Sequence, residues 1–292
     1  MTDAQWTIGS LLRWTTDYLR QHGSITPRLD AEVLLAEVHG CQRINLYIAY
    51  EELASDETRV AYRELVRRRA EGTPVAYLVG RREFYSHQFR VTPDVLIPRP
   101  ETEFVLVALL DLVKQLEGRP IEVVDVGTGS GILAICAALH IPDCRVTAID
   151  ISPASLHVAQ TNAASQKVED RVEFVEGDLL AALDPDQIVD FIVSNPPYVS
   201  EVEWESLAPN IREHEPRQAL VAGETGTEVI AQLIQQAPAH LRLGGWLVFE
   251  ISPMILDQVE NLFVDAPGLG PTRIVKDLAH HPRVVLTQRV EN

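Results

Sequence analysis

Asn195-Pro196-Pro197-Tyr198 follows the apolar run Phe191-Ile192-Val193. A buried strand that meets two prolines must stop, because proline cannot donate to a sheet ladder. What it delivers is a rigid, donor-free tetrapeptide. The Asn195 side-chain carbonyl and the Pro196 main-chain carbonyl can both accept from one planar –NH2 group, and neither Pro196 nor Pro197 adds a competing N–H. Tyr198 offers an aromatic surface to a flat partner. The chemistry these residues suit is the clamping of an amide or an exocyclic amine.

A second group of residues has the character of a nucleoside site. Gly127-Thr128-Gly129-Ser130-Gly131 stands between a strand pattern, Ile121 to Val126, and a helix pattern, Ile132 to His140. Glycines at such a turn let backbone approach a ligand closely at the positive end of a helix. The next strand, Arg145 to Ile149, is followed by Asp150, whose carboxylate can accept from both hydroxyls of a ribose. A third strand, Val172 to Val175, runs into Gly177-Asp178-Leu179, where Asp178 can accept from an adenine amino group and Leu179 can pack on the ring. With Asp125 ahead of them, the glycines run D-x-G-x-G-x-G rather than G-x-G-x-x-G. That spacing suits a nucleoside carrying an amino-acid tail better than a dinucleotide, and it disfavours nicotinamide-dependent dehydrogenase chemistry.

These residues need a parallel sheet to bring them to one edge, because open α/β sheets place ligands at the carboxyl ends of their strands. Alternation of strand and helix patterns from Ile121 to Glu250 supplies it, and Arg273–Lys276 with Val284–Gln288 reads as a closing antiparallel pair. Ahead of this lie helical patterns over 5–22, 27–38 and 55–70, a small bundle whose last helix carries Arg63, Arg67, Arg68 and Arg69. An aromatic and β-branched stretch from Tyr77 to Ile97 reads as a β-hairpin, with Pro93-Asp94 as a turn. The segment Ile97-Pro98-Arg99-Pro100-Glu101-Thr102-Glu103 enters a helix running to Leu116, and its tight Pro-Arg-Pro entry shapes one wall of a cleft. A polar stretch from Val199 to Gly226, containing Trp204, has the length of a lid over the cleft, and part of it reads as a short helix.

The chain has 292 residues, enough for one large and one small domain. No apolar run reaches the ~18 residues of a membrane span, and Met1-Thr2-Asp3-Ala4-Gln5 shows no signal-peptide pattern, so a cytoplasmic chain is expected. Cys41, Cys136 and Cys144 have neither pairing nor metal spacing, and His280-His281 lacks further ligands, so no metal is expected. The net charge is −17; residues 1–90 hold 12 basic and 12 acidic side chains, so the remainder carries the whole excess. Such a domain is a poor match for a nucleic-acid backbone and a better one for a basic protein.

Asp125–Gly131, Asp150 and Asn195-Pro-Pro-Tyr together resemble the motifs of class I S-adenosylmethionine-dependent methyltransferases. With Ile97-Pro-Arg-Pro-Glu-Thr-Glu and the helical amino-terminal region, the chain from about residue 5 to 288 is similar to the HemK/PrmC family. That family methylates the glutamine of the Gly-Gly-Gln motif in peptide-chain release factors. The resemblance implies a seven-stranded doubly wound α/β domain over 99–292, a β-hairpin linker over 74–98 and a helical substrate-recognition domain over 1–73. It implies S-adenosylmethionine on Gly127, Thr128, Gly129, Ser130, Gly131, Asp150, Asp178, Leu179 and Asn195, with S-adenosylhomocysteine as product. Asn195, Pro196, Pro197 and Tyr198 are the expected catalytic residues, joined by Arg99 and Glu101 in substrate binding. The expected partner is a class I release factor, taken by a monomer with no nucleic acid bound. A ribosomal-protein glutamine and, with the same Asn-Pro-Pro-Tyr clamp, a DNA adenine are the alternative acceptors, and a non-catalytic cofactor-binding protein is a rival of another class. Two positions depart from the family pattern: Ser252-Pro253 stands where a glycine is common, and His280 ends an Asp-x-x-Gly pattern begun by Asp277.

Overall fold

The computed structural model describes residues 6–116, 118–264 and 266–291. The amino-terminal stretch read for a signal sequence, Met1–Gln5, lies outside them. Chain contacts separate two units. One comprises residues up to Arg81 together with Pro209–His214; the other comprises Arg82–Ala208 and Glu215 onward.

The first unit is helical. Thr7 caps α1 (Ile8–Gln21) by accepting from the Ser10 N–H, and α1 buries Ile8, Leu11, Leu12 and Leu19 at helical spacing. Proline opens α2 (Pro27–His39) and left-handed Gly40 closes it. A single turn, α3 (Asn45–Ile48), precedes α4 (Asp56–Ala70), capped by Ser55. α5 (Val75–Val79) stops at left-handed Gly80. The hairpin expected from Tyr77 therefore starts later, as Pro74 and Gly80 frame a helical turn through Tyr77. The core joins α1, α2 and α4 through Leu34, Leu35, Leu46, Tyr62 and Val66.

In the second unit the hairpin is β1 (Arg81–Phe84) and β2 (His87–Arg90), whose first strand begins at the last residue of the helical unit. Its turn, Tyr85-Ser86, has φ of 47° and 63° at successive residues. Hairpin turns of that hand are ordinarily built from Asn or Gly, so the sequence carried no signal for it. Glu103 holds the turn by accepting from the Tyr85 N–H at 3.0 Å. A 3₁₀ turn, Pro100–Thr102, leads into α6 (Glu103–Val113).

Seven strands follow: β3 (Ile121–Val126), β4 (Cys144–Asp150), β5 (Val172–Glu176), β6 (Val189–Ser194), β9 (Leu241–Glu250), β10 (Arg273–Lys276) and β11 (Pro282–Gln288). Between β6 and β9 lie β7 (Val199–Ser200) and β8 (Val221–Gly223), a small parallel pair outside the main sheet. The main sheet has the order β10-β11-β9-β6-β3-β4-β5; β11 is antiparallel to both β10 and β9, and the other pairings are parallel. β6 is buried along its whole length and β3 at all but Glu122, with apolar runs Val123-Val124 and Phe191-Ile192-Val193 at their centres. α7 (Ile132–His140), α8 (Pro153–Gln166), α11 (Glu228–His240) and α12 (Leu256–Leu262) complete the layers. One core packs α6 and α7 against Val123, Phe191 and Val248. The other packs α11 and α12 against Val124, Ile192 and Leu247. This is the seven-stranded doubly wound α/β architecture that the resemblance implied.

The stretch expected as a lid with a short helix, Val199 to Gly226, is more structured than that. It holds β7, α9 (Glu201–Ser206), α10 (Pro209–Arg212) and β8. Ser200 and Glu203 close a capping box at the start of α9, a signal that Ser-x-x-Glu carries in the sequence. His280 sits at φ 65°, which explains why a glycine suits that position. Asp277 supports the turn by accepting from the Ala279 and His281 N–H groups and pairing with Arg283.

Candidate active site

The strand register sets the site. Val126 pairs with Ile149 and with Ser194; Ile149 pairs with Val175, and Ser194 with Phe249. The segments leaving β3, β4, β5, β6 and β9 therefore emerge side by side at one edge. The chain order reverses direction across the sheet beside β3, the place where such sheets hold ligands.

A cavity of about 290 Å³ lies there, lined among others by Gly127, Gly129, Asp150, Asp178, Leu179 and Asn195. A smaller one of about 40 Å³ adjoins it, lined by Asp125, Gly127, Thr128, Gly129, Ser130, Arg99, Thr102 and Asn195. Gly127, Gly129 and Asn195 belong to both.

The glycine turn is built from backbone. Gly127, Gly129 and Gly131 have φ of 70°, 56° and 85°, where a side chain brings strain. At Gly131 a Cβ would also lie 2.8 Å from the Ile135 side chain, so this glycine serves packing of the turn on α7. Asp150 Oδ2 accepts from the Gly129 N–H at 2.8 Å and Oδ1 from the Ser152 N–H at 2.9 Å. Each oxygen keeps a lone pair for a hydroxyl donor. Burial raises the Asp150 pKa.

Asp125 is fully buried, and burial pushes its carboxyl up to about 7. Its Oδ2 accepts from the Thr128 hydroxyl at 2.7 Å and the Ala134 N–H at 3.0 Å, while Oδ1 has no partner. An unpartnered acceptor beside a small cavity fits an ammonium group.

Asn195 donates from Nδ2 to Thr102 Oγ1 at 2.9 Å, which leaves Oδ1 as its free acceptor. Thr102 donates to Glu250 Oε2 at 2.6 Å, and Tyr198 donates to Glu250 Oε1 at 3.2 Å. The Tyr198 hydroxyl is thus committed to Glu250, and its ring packs against the second core. Pro197 lines the larger cavity; Pro196 is buried and lines neither cavity. Arg99 reaches the smaller cavity but is held by Glu215 at 2.6 Å, and Glu215 also accepts from the Ile97 N–H. Glu101 lines neither cavity.

Sequence reasoning singled out neither Thr102 nor Glu250 individually, and it missed Asp94, Ile151 and Asn162. Asp94 and Ile151 line the larger cavity. Asn162, buried on α8, donates from Nδ2 to the Ser130 and Arg90 carbonyls at 2.8 and 3.0 Å and accepts from the Arg90 N–H at 2.7 Å. It fastens the glycine turn to the hairpin. Gly226, at φ 85°, lets backbone pass the Tyr198 carbonyl, which a Cβ would approach to 2.7 Å. Among the described residues no group of three or more His, Cys, Asp or Glu is placed to hold a metal ion, and no helix is long and apolar enough to cross a membrane.

A seven-stranded doubly wound sheet with a glycine turn and a cavity at its switch point has the architecture of a class I methyltransferase. Comparison with known families agrees: residues 107–220 match the methyltransferase small domain, and residues 10–80 match the PrmC N-terminal domain. The chain is 48% identical over 289 residues to the release factor glutamine methyltransferase of Rhodopirellula baltica, covering 98% of each chain. It is 43% identical over 265 residues to that of Koribacter versatilis, covering 90% of this chain and 92% of the other. A methyltransferase from Pyrococcus furiosus shares the fold, with a TM-score of 0.51 at 17% identity over 72% of this chain and 91% of that one. The chain belongs to the release factor glutamine methyltransferase family.

Proposed function

We propose that the protein methylates the side-chain amide nitrogen of the glutamine in the Gly-Gly-Gln motif of class I release factors. The observation that carries this reading is the Asn195 amide, fixed where the two cavities meet with Oδ1 left to accept. S-adenosylmethionine, when bound, supplies an electrophilic methyl whose bond to sulfur breaks as the bond to nitrogen forms, and one amide proton leaves.

An amide nitrogen is a poor nucleophile because its lone pair is delocalised into the carbonyl. Accepting its two hydrogens, at Asn195 Oδ1 and the Pro196 carbonyl, holds the amide in place and stabilises the positive charge that develops on nitrogen. Gly127 and Gly129 give close backbone approach, Asp150 and Ile151 suit the ribose and adenine end, and Asp178 with Leu179 closes around the ring. The unpartnered Asp125 oxygen suits the ammonium of the amino-acid tail. Arg99, already paired with Glu215, shapes the wall of the smaller cavity. The helical unit is the proposed reader of the protein partner, with the expected division at 1–73, 74–98 and 99–292. We place the activity in the cytoplasm, in a monomer that binds no nucleic acid.

The test is transfer of labelled methyl to four acceptors offered separately: a release factor, its Gly-Gly-Ala variant, ribosomal proteins and duplex DNA. Label on the wild-type factor alone supports the reading. Label on ribosomal protein or DNA moves the target, and no label anywhere rejects the enzyme.

A further inference from the structure

We propose that Thr102 and Glu250 are positioning residues that hold the Asn195 amide with Oδ1 toward the acceptor nitrogen and Nδ2 away from it. The inference rests on the methyl-transfer reading and adds two residues that act through Asn195.

An asparagine amide is almost symmetric in shape, so a half-turn exchanges its oxygen and nitrogen at little steric cost. For an amine clamp the exchange is decisive. Oδ1 accepts from the substrate N–H, whereas Nδ2 would set donor against donor. Proline rigidity fixes the backbone at this site but says nothing about which end of the side chain faces in.

The direction comes from the relay behind Asn195. Thr102 has one hydroxyl hydrogen and gives it to Glu250 Oε2 at 2.6 Å. Toward Asn195 it therefore offers only lone pairs, and only Nδ2 can satisfy them, at 2.9 Å. An ionised Glu250 accepts and cannot donate. Its other oxygen is occupied by the Tyr198 hydroxyl at 3.2 Å. Donation thus runs from Asn195 to Thr102 to Glu250, and from Tyr198 to the same carboxylate. Thr102 and Glu250 are 0% and 1% exposed, so water does not substitute for either partner. Register makes the relay possible: Ser194 pairs with Phe249, so Asn195 and Glu250 each stand one residue beyond a pair on adjacent strands.

The relay has a polarity that protonation reverses. Burial pushes the Glu250 carboxyl up to about 7. The groups that face it are Thr102 and Tyr198, which hydrogen-bond it, the Glu101 carboxylate, which raises it further, and Arg283 on β11, which lowers it. A protonated Glu250 donates to Thr102, turns the threonine hydrogen toward Asn195 and favours Oδ1 turned to Thr102, with Nδ2 toward the acceptor. Turnover then falls as Glu250 takes up its proton.

The test compares T102V, T102S and E250Q with wild type, using the intact protein and a release factor. T102V should lower kcat by roughly 10- to 100-fold, the scale on which loss of a supporting hydrogen-bond partner acts, with a much smaller change in cofactor affinity. T102S should recover most of the rate, and E250Q should lose the acid limb of the kcat profile. A second readout needs no acceptor: solvent exchange of the Asn195 side-chain amide protons, followed by NMR, should be slow in wild type and fast in T102V. If T102V keeps its kcat and slow exchange, or E250Q keeps the acid limb, the relay is overturned. If wild type methylates no release factor, the functional reading falls while the exchange comparison still decides the relay.

Discussion

The two halves of the site are made in different ways. Around β3 and β4 the donor side consists of backbone: three left-handed glycines, and N–H groups of Gly129 and Ser152 held by one carboxylate. Around β6 and β9 the acceptor side consists of side chains, Asn195, Thr102, Glu250 and Tyr198, joined in a relay. The proposed cofactor, common to many enzymes, would be met by a local turn that any βα unit can supply. On the proposed reading the reaction depends on one amide pointing the right way, which draws on residues from distant parts of the chain. Binding of the donor and turnover should therefore be separable by mutation.

The largest separation is expected at Asn195. N195A removes the side-chain acceptor and should cut kcat by about 10³-fold while the cofactor Kd, measured by calorimetry, moves little. A mutant that keeps most of its rate would break the comparison from the acceptor side.

Gly127 gives the complementary result. At φ 70°, G127V forces a β-branched residue into the left-handed region at the wall of both cavities. That strain costs about 1–2 kcal/mol; the turn relieves it by leaving the shape the cofactor needs, so cofactor Kd should rise about 5- to 30-fold. kcat at saturating cofactor should change far less than in N195A.

Asn162 tests whether the donor side is as local as it looks. It ties the glycine turn to the hairpin through three backbone hydrogen bonds. N162A leaves those backbone groups unpaired and should cost roughly 2–3 kcal/mol of stability, read as a lower denaturation midpoint. The expected gain in cofactor Kd is small beside that of G127V.

The contrast also governs what the sequence disclosed. The glycine turn, Asp150 and Asn195-Pro-Pro-Tyr were legible because each is a short stretch in a strand–turn–helix or strand–turn frame. The sheet was legible because its central strands carry short apolar runs, Val123-Val124 and Phe191-Ile192-Val193, between helix patterns. Thr102 and Glu250 were not assigned, since the relay spans separations of 93 and 148 residues and no local pattern links them. Asn162 lay hidden for the same reason, as an ordinary polar residue in a helix. The Tyr85-Ser86 turn was unreadable because its residues lack the usual preference for positive φ. In the 199–226 stretch, polarity and proline content outweighed a capping box that was there to be read.

The smallest expected effect is on stability against pH. Burial raises the Glu250 carboxyl from 4.5 to about 7. Between those values the folded state keeps a proton that the unfolded chain has lost, so stability is full below about 4.5 and falls as pH rises through 7. The wild-type Tm should drop by a few °C relative to E250Q between pH 5 and pH 8. Parallel curves would place the charge of Glu250 outside the energetics of the fold.

The most direct test of the central claim is mass spectrometry of a release factor after incubation with the protein and S-adenosylmethionine. A single methyl on the glutamine side chain of Gly-Gly-Gln, absent with N195A although that variant still binds the cofactor, is the result predicted. A methyl on any other residue, or the same yield from N195A, would contradict it.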